Sequence, residues 1–138
     1  MIQVDTNRDL QHAFGKSKLP PCSFVIPCLN EVGSVASVLR RVEDIRSAFQ
    51  DLDVILVDNG SDDGSIDQAQ KFNVRIIHCA KRGYGAALQK GIENARFDLI
   101  VMADADGTYD WHEAKQLISS LIDFEADLVV GNRLKGGI

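Results

Sequence analysis

The sequence contains little cysteine, proline or tryptophan, and it has no long hydrophobic run. Its 138 residues include three cysteines, three prolines and one tryptophan. An odd number of cysteines without a C-x-x-C pair predicts reduced thiols rather than a disulfide framework. No apolar stretch approaches the roughly 18–20 residues that a membrane-spanning helix needs, and the first 21 residues lack the apolar segment of a signal peptide. We therefore expect a cytoplasmic chain.

Positive charge is also in deficit. The chain has 15 lysine and arginine residues against 20 aspartate and glutamate residues, which gives a formal net charge of −5. Proteins that bind nucleic acid favour basic faces, so we expect no nucleic-acid partner. The composition is otherwise typical of one globular domain, with 45% hydrophobic residues. We expect a polar leader at 1–21 and a single domain at 22–138.

Short apolar runs alternate with segments of helical periodicity after residue 21. Strands are predicted at 22–28, 53–59, 74–80, 97–105 and 126–132. Helices are predicted at 30–49, from 65 onward, at 85–95 and at 110–124. This alternation predicts an α/β fold, a Rossmann-like three-layer α/β/α arrangement with a mainly parallel sheet of about five strands. The first helix carries an apolar stripe formed by Val32, Val35, Leu39, Val42, Ile45 and Phe49.

Local patterns predict how three of these helices begin. Asn30 is the expected N-cap of the first helix. Ser65 with Gln68, and Asp110 with Glu113, have the spacing of a capping box.

Polar residues cluster where the predicted strands end. The segments that follow the five strands are "PCLNE", "VDNGSDDGS", "AKRGYGAA", "DADGTYD" and "GNRLKGG". The opposite strand ends carry no such clusters. Because ligands of parallel α/β sheets bind at the carboxyl ends of the strands, this pattern predicts a binding site at that edge.

Asp104 and Asp106 stand one residue apart at the end of the fourth predicted strand. If the strand geometry continues through them, their carboxylates point to the same face. Two such charges about 4 Å apart repel by roughly 1 kcal/mol in water and about 4 kcal/mol at an effective dielectric constant near 20. A cation or a shared proton is needed to relieve that repulsion.

Several known site types do not match. The loop after the first predicted strand is not G-x-G-x-x-G, and the nearest pattern, at 83–88, lacks the last glycine, which argues against a dinucleotide-binding oxidoreductase. No P-loop motif is present. The acidic segment from Asp58 lacks the glycine and glutamate positions of an EF-hand.

A phosphatase is a more serious alternative. A strand that ends in D-x-D-G-T resembles the first motif of haloacid-dehalogenase-type phosphatases, in which Asp104 would be the nucleophile and Asp106 the general acid. In those enzymes the motif lies near the N-terminus, on the first core strand. Here 32 residues follow Asp106, without an acidic pair after a strand, and the preceding part of the chain would have no role.

Taken together, the motifs resemble glycosyltransferase family 2, which has the GT-A fold, and within it the polyprenyl-phosphate hexosyltransferases of the dolichyl-phosphate mannose synthase group. The resemblance covers residues 22–135 and rests on five segments in the expected order. They are "VIPCLNEVGSVASVL", "ILVDNGSDDGS", "KRGYGAALQKGIENA", "RFDLIVMADADGTYD" and "ADLVVGNR".

The resemblance implies a site for a nucleotide-diphospho-sugar. Asp104 and Asp106 match the D-x-D motif that holds Mg²⁺ or Mn²⁺. The resemblance likewise implies that Asp58 accepts a hydrogen bond from the nucleobase and that Glu31 accepts one from the ribose or the base. It also implies that Arg133 pairs with phosphate. The residues implied as nucleotide-sugar ligands are Pro27, Leu29, Asn30, Glu31, Asp58, Asn59, Ser61, Arg82, Gly85, Asp104, Ala105, Asp106 and Arg133.

The resemblance also implies the reaction. The donor is expected to be a UDP- or GDP-hexose, and the acceptor a lipid phosphate, such as polyprenyl or dolichyl phosphate, or a saccharide. No catalytic base is assigned, because the family's base and acceptor segment come after the position of Ile138. We therefore expect the donor-binding half of a longer enzyme, with possible membrane association through that later part and a possible homo-oligomer. A non-catalytic nucleotide-sugar-binding module is the remaining alternative.

Overall fold

The computed structural model describes residues 18–107, 110 and 113–127. Strands and helices alternate along it. The strands are β1 (Cys22–Cys28), β2 (Leu52–Asp58), β3 (Arg75–His78) and β4 (Ile100–Met102). The helices are α1 (Val35–Ile45), α2 (Ser65–Ala69), α3 (Tyr84–Glu93) and α4 (Ala114–Asp123), with a 3₁₀ turn at Arg46–Ala48. The fifth predicted strand, 126–132, lies outside the described residues from 128 onward.

The described strands form one parallel sheet in the order β3-β2-β1-β4. The register pairs Cys22 with Leu52 at one end of β1 and Cys28 with Asp58 at the other. The chain moves outward from β1 through β2 to β3 and then returns to the opposite side of β1. This confirms the predicted parallel α/β sheet, and it places a topological switch point between β1 and β4.

Alternate residues of the central strands pack into two separate clusters, one on each face of the sheet. Phe24 and Ile26 belong to the cluster that includes residues of α1 and α4. Val25 belongs to the cluster that includes Ala87 of α3. The sheet therefore lies between helical layers, as the three-layer prediction requires.

Helix α1 begins later than predicted. Its buried stripe consists of Val35, Val38, Leu39, Val42 and Ile45, and Phe49 is buried beyond it. Val32 was predicted to belong to the stripe, but it precedes the helix and is 44% exposed. Asn30 does not cap α1: it has a positive φ of 54° and its side-chain oxygen accepts a hydrogen bond from the Asp62 backbone N–H (2.9 Å).

The predicted capping box at the start of α2 is also wrong. Ser65 does not cap the helix; its hydroxyl donates to the Asp63 carboxylate. That carboxylate also accepts from the Ser65 backbone N–H (2.9 Å). Asp63 therefore supplies the oxygen at this helix start, a local pattern typical of aspartate. At α4, which begins at Ala114, the Glu113 N–H donates to the backbone carbonyl of Asp110 (3.0 Å).

The last residues of the predicted leader belong to the folded domain. Leu19 is buried, and its backbone forms a parallel bridge with Phe49. Among the described residues, no helix has both the length and the apolar character needed to cross a bilayer.

Helix α3 approaches the sheet closely at Gly91. A Cβ atom at this position would overlap the Val25 side chain and come within 3.0 Å of Val57. We expect Gly91→Ala to lower the free energy of unfolding by about 1–3 kcal/mol, the usual cost of overpacking. Gly85, in the same helix, has no atom within 4 Å of an added Cβ, so Gly85→Ala should be neutral or stabilise by up to about 1 kcal/mol. Urea unfolding measures both, and equal effects would contradict the predicted contact.

A buried ionic network joins the amino ends of the strands. The Asp53 carboxylate accepts hydrogen bonds from the Arg75 guanidinium (2.8 and 2.9 Å), the Ser23 hydroxyl (2.9 Å) and the Arg96 backbone N–H (3.0 Å). Ser23 in turn accepts from the Phe97 N–H (3.1 Å). Burial of Asp53 favours a higher pKa, but these hydrogen bonds outweigh it and the pKa lies below its ordinary value.

We expect Arg75→Met to destabilise the protein by about 3 kcal/mol at neutral pH, because it leaves a buried carboxylate without its cation. A carboxylate with a depressed folded pKa stabilises fully above its unfolded pKa, near 3.9, and loses this contribution as the pH falls through the folded value. The difference between wild type and variant should therefore shrink below about pH 4. Arg40→Met, at an exposed position of α1, is the control, and a penalty independent of pH would contradict the assignment.

Candidate functional site

The loops at the carboxyl ends of the four strands surround a cavity of about 440 Å³. It lies where the strand order reverses, the position at which parallel α/β sheets bind ligands. All four loops contribute to its wall. The lining residues are Pro27, Cys28, Leu29, Glu31, Asn59, Arg82, Gly83, Tyr84, Ala87, Asp104, Ala105 and Asp106.

The structure brings most of the sequence-predicted site residues to this cavity. Those in its wall are Pro27, Leu29, Glu31, Asn59, Arg82, Asp104, Ala105 and Asp106. Four predicted residues lie outside the wall: Asn30 and Ser61 in the adjoining loops, Asp58 at the end of β2, and Gly85 in the first turn of α3. Arg133 lies outside the described residues.

The loop after β1 and the loop after β2 are joined by their own polar groups. Asn30 and Ser61, both predicted to bind the nucleotide, take part in this junction. The hydrogen bonds run from Asn30 N–H to Ser61 Oγ (3.0 Å), from Asp62 N–H to Asn30 Oδ1 (2.9 Å), from Glu31 N–H to Ser65 Oγ (2.8 Å) and from Val32 N–H to Asp63 Oδ2 (3.1 Å). The two residues therefore hold one wall of the cavity in place.

Asp58 is occupied by its own loop. One carboxylate oxygen accepts hydrogen bonds from the backbone N–H groups of Gly60 (3.2 Å) and Ser61 (2.8 Å), and the other lies 3.1 Å from Nδ1 of His78. Burial favours a higher pKa for Asp58, but the hydrogen bonds from Ser61, His78 and Gly60 outweigh it and lower the pKa. A contact between Asp58 and a nucleobase stays a prediction.

Asn59 fixes the loop after β3. Its side-chain N–H₂ group donates to the carbonyls of Cys79 (3.1 Å) and Lys81 (2.9 Å), and its oxygen accepts from the Gly83 N–H (3.0 Å). Both ends of the amide are thus used by one neighbouring loop. This places Arg82 at the cavity, where its guanidinium lies 3.9 Å from the position of an added Cβ on Gly60.

We expect Asn59→Ala to destabilise the protein by about 2 kcal/mol, because it removes the partners of three backbone groups, of which the Cys79 carbonyl is buried. Hydrogen exchange in residues 79–83 should accelerate more than exchange in β1 or β2. Asn94→Ala, which removes one exposed hydrogen bond to the Lys90 carbonyl, is the control and should leave that segment unchanged. Uniform acceleration over the whole chain would contradict a local role.

The two aspartates were predicted to continue the geometry of the fourth strand, but that strand ends before them. β4 was predicted at 97–105 but ends at Met102, and residues 105 and 106 form a turn. Gly107 completes this turn with a φ of +82°, a conformation that glycine adopts without strain. We call residues 103–107 the acidic loop. Both aspartates line the cavity, Asp104 from the position before this turn and Asp106 from within it, so strand alternation does not set their directions.

The acidic loop carries an unsatisfied oxygen. Asp104 Oδ1 is buried and has no hydrogen-bond partner among the described residues. An orphaned buried acceptor costs about 1–3 kcal/mol unless a ligand, water or ion satisfies it. This atom is therefore a candidate ligand for a cation.

The described wall of the cavity is rich in negative charge. It contains the carboxylates of Glu31, Asp104 and Asp106 and the guanidinium of Arg82. Carboxylate oxygens suit hard divalent cations. In the part of the chain that the structure describes, no group of three or more His, Cys, Asp or Glu side chains could hold a metal ion, so oxygens of a bound ligand or of water would have to complete the coordination.

Four cavity residues were not among the sequence-predicted ligands, namely Cys28, Gly83, Tyr84 and Ala87. Cys28 lies between two residues that were predicted, and burial raises the pKa of its thiol. Gly83 and Tyr84 belong to the glycine-rich segment "KRGYGAA". The sequence predicts a loop there, but it does not indicate which residues of the loop line the cavity. Ala87 follows Gly83 by one helical turn, and that spacing was the available signal.

Comparison with known proteins identifies the family. The family model described as "Glycosyl transferase family 2" matches residues 23–138. The chain belongs to glycosyl transferase family 2, which confirms the resemblance. The match includes the D-x-D-G-T segment and so favours this interpretation over the phosphatase.

Individual relatives agree with this assignment. The low-salt glycan biosynthesis hexosyltransferase Agl6 of Haloferax volcanii is 34% identical over 122 residues, which are 86% of this chain and 29% of the relative. The dodecaprenyl-phosphate galacturonate synthase of Rhizobium johnstonii is 34% identical over 119 residues, 80% of this chain and 35% of the relative. The chain thus spans about a third of each of them.

A solved structure has the same fold. The mannosyltransferase PcManGT of Pyrobaculum calidifontis, crystallised with GDP-Man and Mn²⁺, superimposes with a TM-score of 0.64 at 18% identity. The match covers 79% of this chain and 34% of that one. It confirms the predicted fold class.

Proposed function

We propose that this chain is the donor-binding part of a metal-dependent glycosyltransferase that uses a UDP- or GDP-hexose. The observation that carries the proposal is the acidic loop, which places Asp104 and Asp106 in the wall of a cavity at the switch point of the sheet. One oxygen of the Asp104 carboxylate is buried and has no hydrogen-bond partner in the part of the chain that the structure describes. The relative that was crystallised with GDP-Man and Mn²⁺ supports this choice of ligands.

The charge of the cavity supports the requirement for a metal. A nucleotide diphosphate is an anion, and the described wall holds three carboxylates against one guanidinium. Binding the donor there without a cation would bring like charges together in a partly desolvated space. Asp104 and Asp106 would hold Mg²⁺ or Mn²⁺ together with diphosphate oxygens. The bound metal supplies charge neutralisation of the leaving diphosphate.

The remaining cavity residues suit the other parts of the donor. We assign the Arg82 guanidinium to the diphosphate, since it is the cation in the described wall and can donate two hydrogen bonds to phosphate. We assign Leu29 and Tyr84, which are 42% and 55% exposed, to the apolar faces of the nucleoside. The Glu31 carboxylate is an acceptor for a ribose hydroxyl or a base N–H.

We further propose a polyprenyl phosphate as the acceptor. The support is the relative named dodecaprenyl-phosphate galacturonate synthase. Transfer to such a lipid would take place at the cytoplasmic face of a membrane. A radiolabelled-sugar assay with the full-length enzyme and polyprenyl phosphate tests the acceptor, and label in a saccharide but not in lipid would overturn it.

Calorimetric titration with UDP and GDP, with Mn²⁺ or with EDTA, tests donor and metal binding together. We expect wild type to bind one nucleotide only when Mn²⁺ is present. Asp104→Asn and Asp106→Asn should each weaken this binding at least roughly tenfold, because each removes an ionic ligand of the metal. Asp44→Asn, at an exposed position of α1, is the matched control. Nucleotide binding that is equally strong in EDTA, or unchanged in both variants, would refute the proposal.

A further inference from the structure

We propose that Ser34 is a positioning residue for the acidic loop and that it sets the affinity of Asp104 and Asp106 for the divalent cation. This inference rests on the proposed function, which assigns the metal to those two residues. Ser34 is not in the wall of the cavity and would act through the backbone of the loop.

The contact is a short hydrogen bond between distant parts of the chain. The Ser34 hydroxyl donates to the backbone carbonyl of Ala105 at 2.7 Å, across 71 residues of sequence. Ala105 is the residue between the two aspartates. The Ala105 carbonyl lies in the peptide plane that ends at Cα of Asp106, and the preceding plane begins at Cα of Asp104. A bond to this carbonyl therefore restrains the backbone between the two aspartates.

The Ala105 carbonyl needs a partner from outside its own strand. β4 ends at Met102, and its ladder with β1 continues only to the hydrogen bond from Ala103 N–H to the Val25 carbonyl (3.3 Å). Ala105 is nevertheless buried, with 1% of its surface exposed. A buried carbonyl outside regular structure must find a donor, and the Ser34 hydroxyl provides it.

Ser34 delivers this donor from a rigid element. Its N–H donates to the Glu31 carbonyl (3.1 Å), and its own carbonyl accepts the hydrogen bond of Val38 in the first turn of α1 (3.0 Å). Val35 and Val38 are fully buried against the sheet. A side chain held in this way supports precise ligand geometry better than one on a free loop.

The acidic loop also approaches Ser34 closely at its far end. A Cβ added to Gly107 would lie 4.0 Å from Cβ of Ser34. The loop is thus hydrogen-bonded to the start of α1 at Ala105 and lies near it at Gly107, on either side of Asp106. This limits the positions that the loop can take.

The same hydroxyl lies beside the third carboxylate of the cavity. Glu31 Oε2 is 3.4 Å from Ser34 Oγ. A hydroxyl has one proton, and the shorter contact with Ala105 uses it, so Glu31 gains at most a weak bond there. Ser34 therefore holds the acidic loop without neutralising Glu31, which keeps its capacity to accept from the donor.

Electron paramagnetic resonance of free Mn²⁺, in the presence of saturating UDP or GDP, measures the effect on metal affinity. We expect Ser34→Ala to weaken Mn²⁺ binding roughly tenfold, the lower end of the loss seen when a supporting partner of a metal ligand is removed. Ser34→Thr keeps the hydroxyl and should restore most of the affinity. Ser37→Ala, an exposed serine three residues further along α1, should bind Mn²⁺ as wild type does.

Hydrogen exchange of the metal-free proteins gives a readout that does not depend on the metal. Exchange at residues 103–107 should accelerate in Ser34→Ala and not in Ser37→Ala. If wild type binds Mn²⁺ and Ser34→Ala binds it equally well, the positioning role is overturned while the proposed function stands. Equal losses in Ser34→Ala and Ser34→Thr would also overturn it, because the hydroxyl would not be the group responsible. If wild type itself binds no Mn²⁺ with either nucleotide, the proposed function fails, and this inference fails with it.

Discussion

The burial of β1 governs the rest of this structure. All seven of its residues are buried, and it pairs in parallel with β2 on one side and β4 on the other. A strand buried in this way leaves room for a ligand only at its carboxyl end, where Pro27 and Cys28 line the cavity. Because the pairing is parallel, its neighbours end at the same edge of the sheet. Polar chemistry is therefore confined to the loops at that edge, and the reversal of strand order beside β1 opens a space between them.

Several polar side chains at this edge bind backbone groups of the loops around them. Asp58 holds the turn that follows β2, Asn59 holds the loop after β3, and Asn30 joins the first two loops. Irregular loops cannot satisfy their own N–H and carbonyl groups, so side chains must do so. A polar cluster at the end of a parallel strand thus has two causes, support of the loops and binding of a ligand. Asp104, with an oxygen that no described group satisfies, shows the second cause most clearly.

The sequence predicted those features that depend on local periodicity. The apolar runs of β1 and β2 and the apolar stripe of α1 are the buried positions of these elements. The spacing of apolar residues in the sequence indicates such positions directly. The caps of α1 and α2 were predicted wrongly because the hydrogen bonds of these side chains depend on loop geometry, as with Asn30 before α1 and Asp63 at α2. Such contacts depend on which loops become neighbours in space. The link between Ser34 and Ala105 is of the same kind, and no spacing in the sequence indicates it.

Asp104 and Asp106 line one cavity, as the sequence predicted, but the acidic loop places them there and not a strand. Strand alternation would have fixed their directions through the sheet, but the strand ends at Met102 and a turn takes over. A turn is easier to deform than a paired strand, so its shape must be held by contacts from other elements. Repulsion between nearby carboxylates tends to open such a turn, and a bound cation opposes that tendency. If the acidic loop holds a divalent cation, as proposed above, its geometry would depend on two contributions, the hydrogen bond from Ser34 and the counter-charge of the bound cation. Donor binding and metal binding would then be coupled through this loop, without any movement of the sheet.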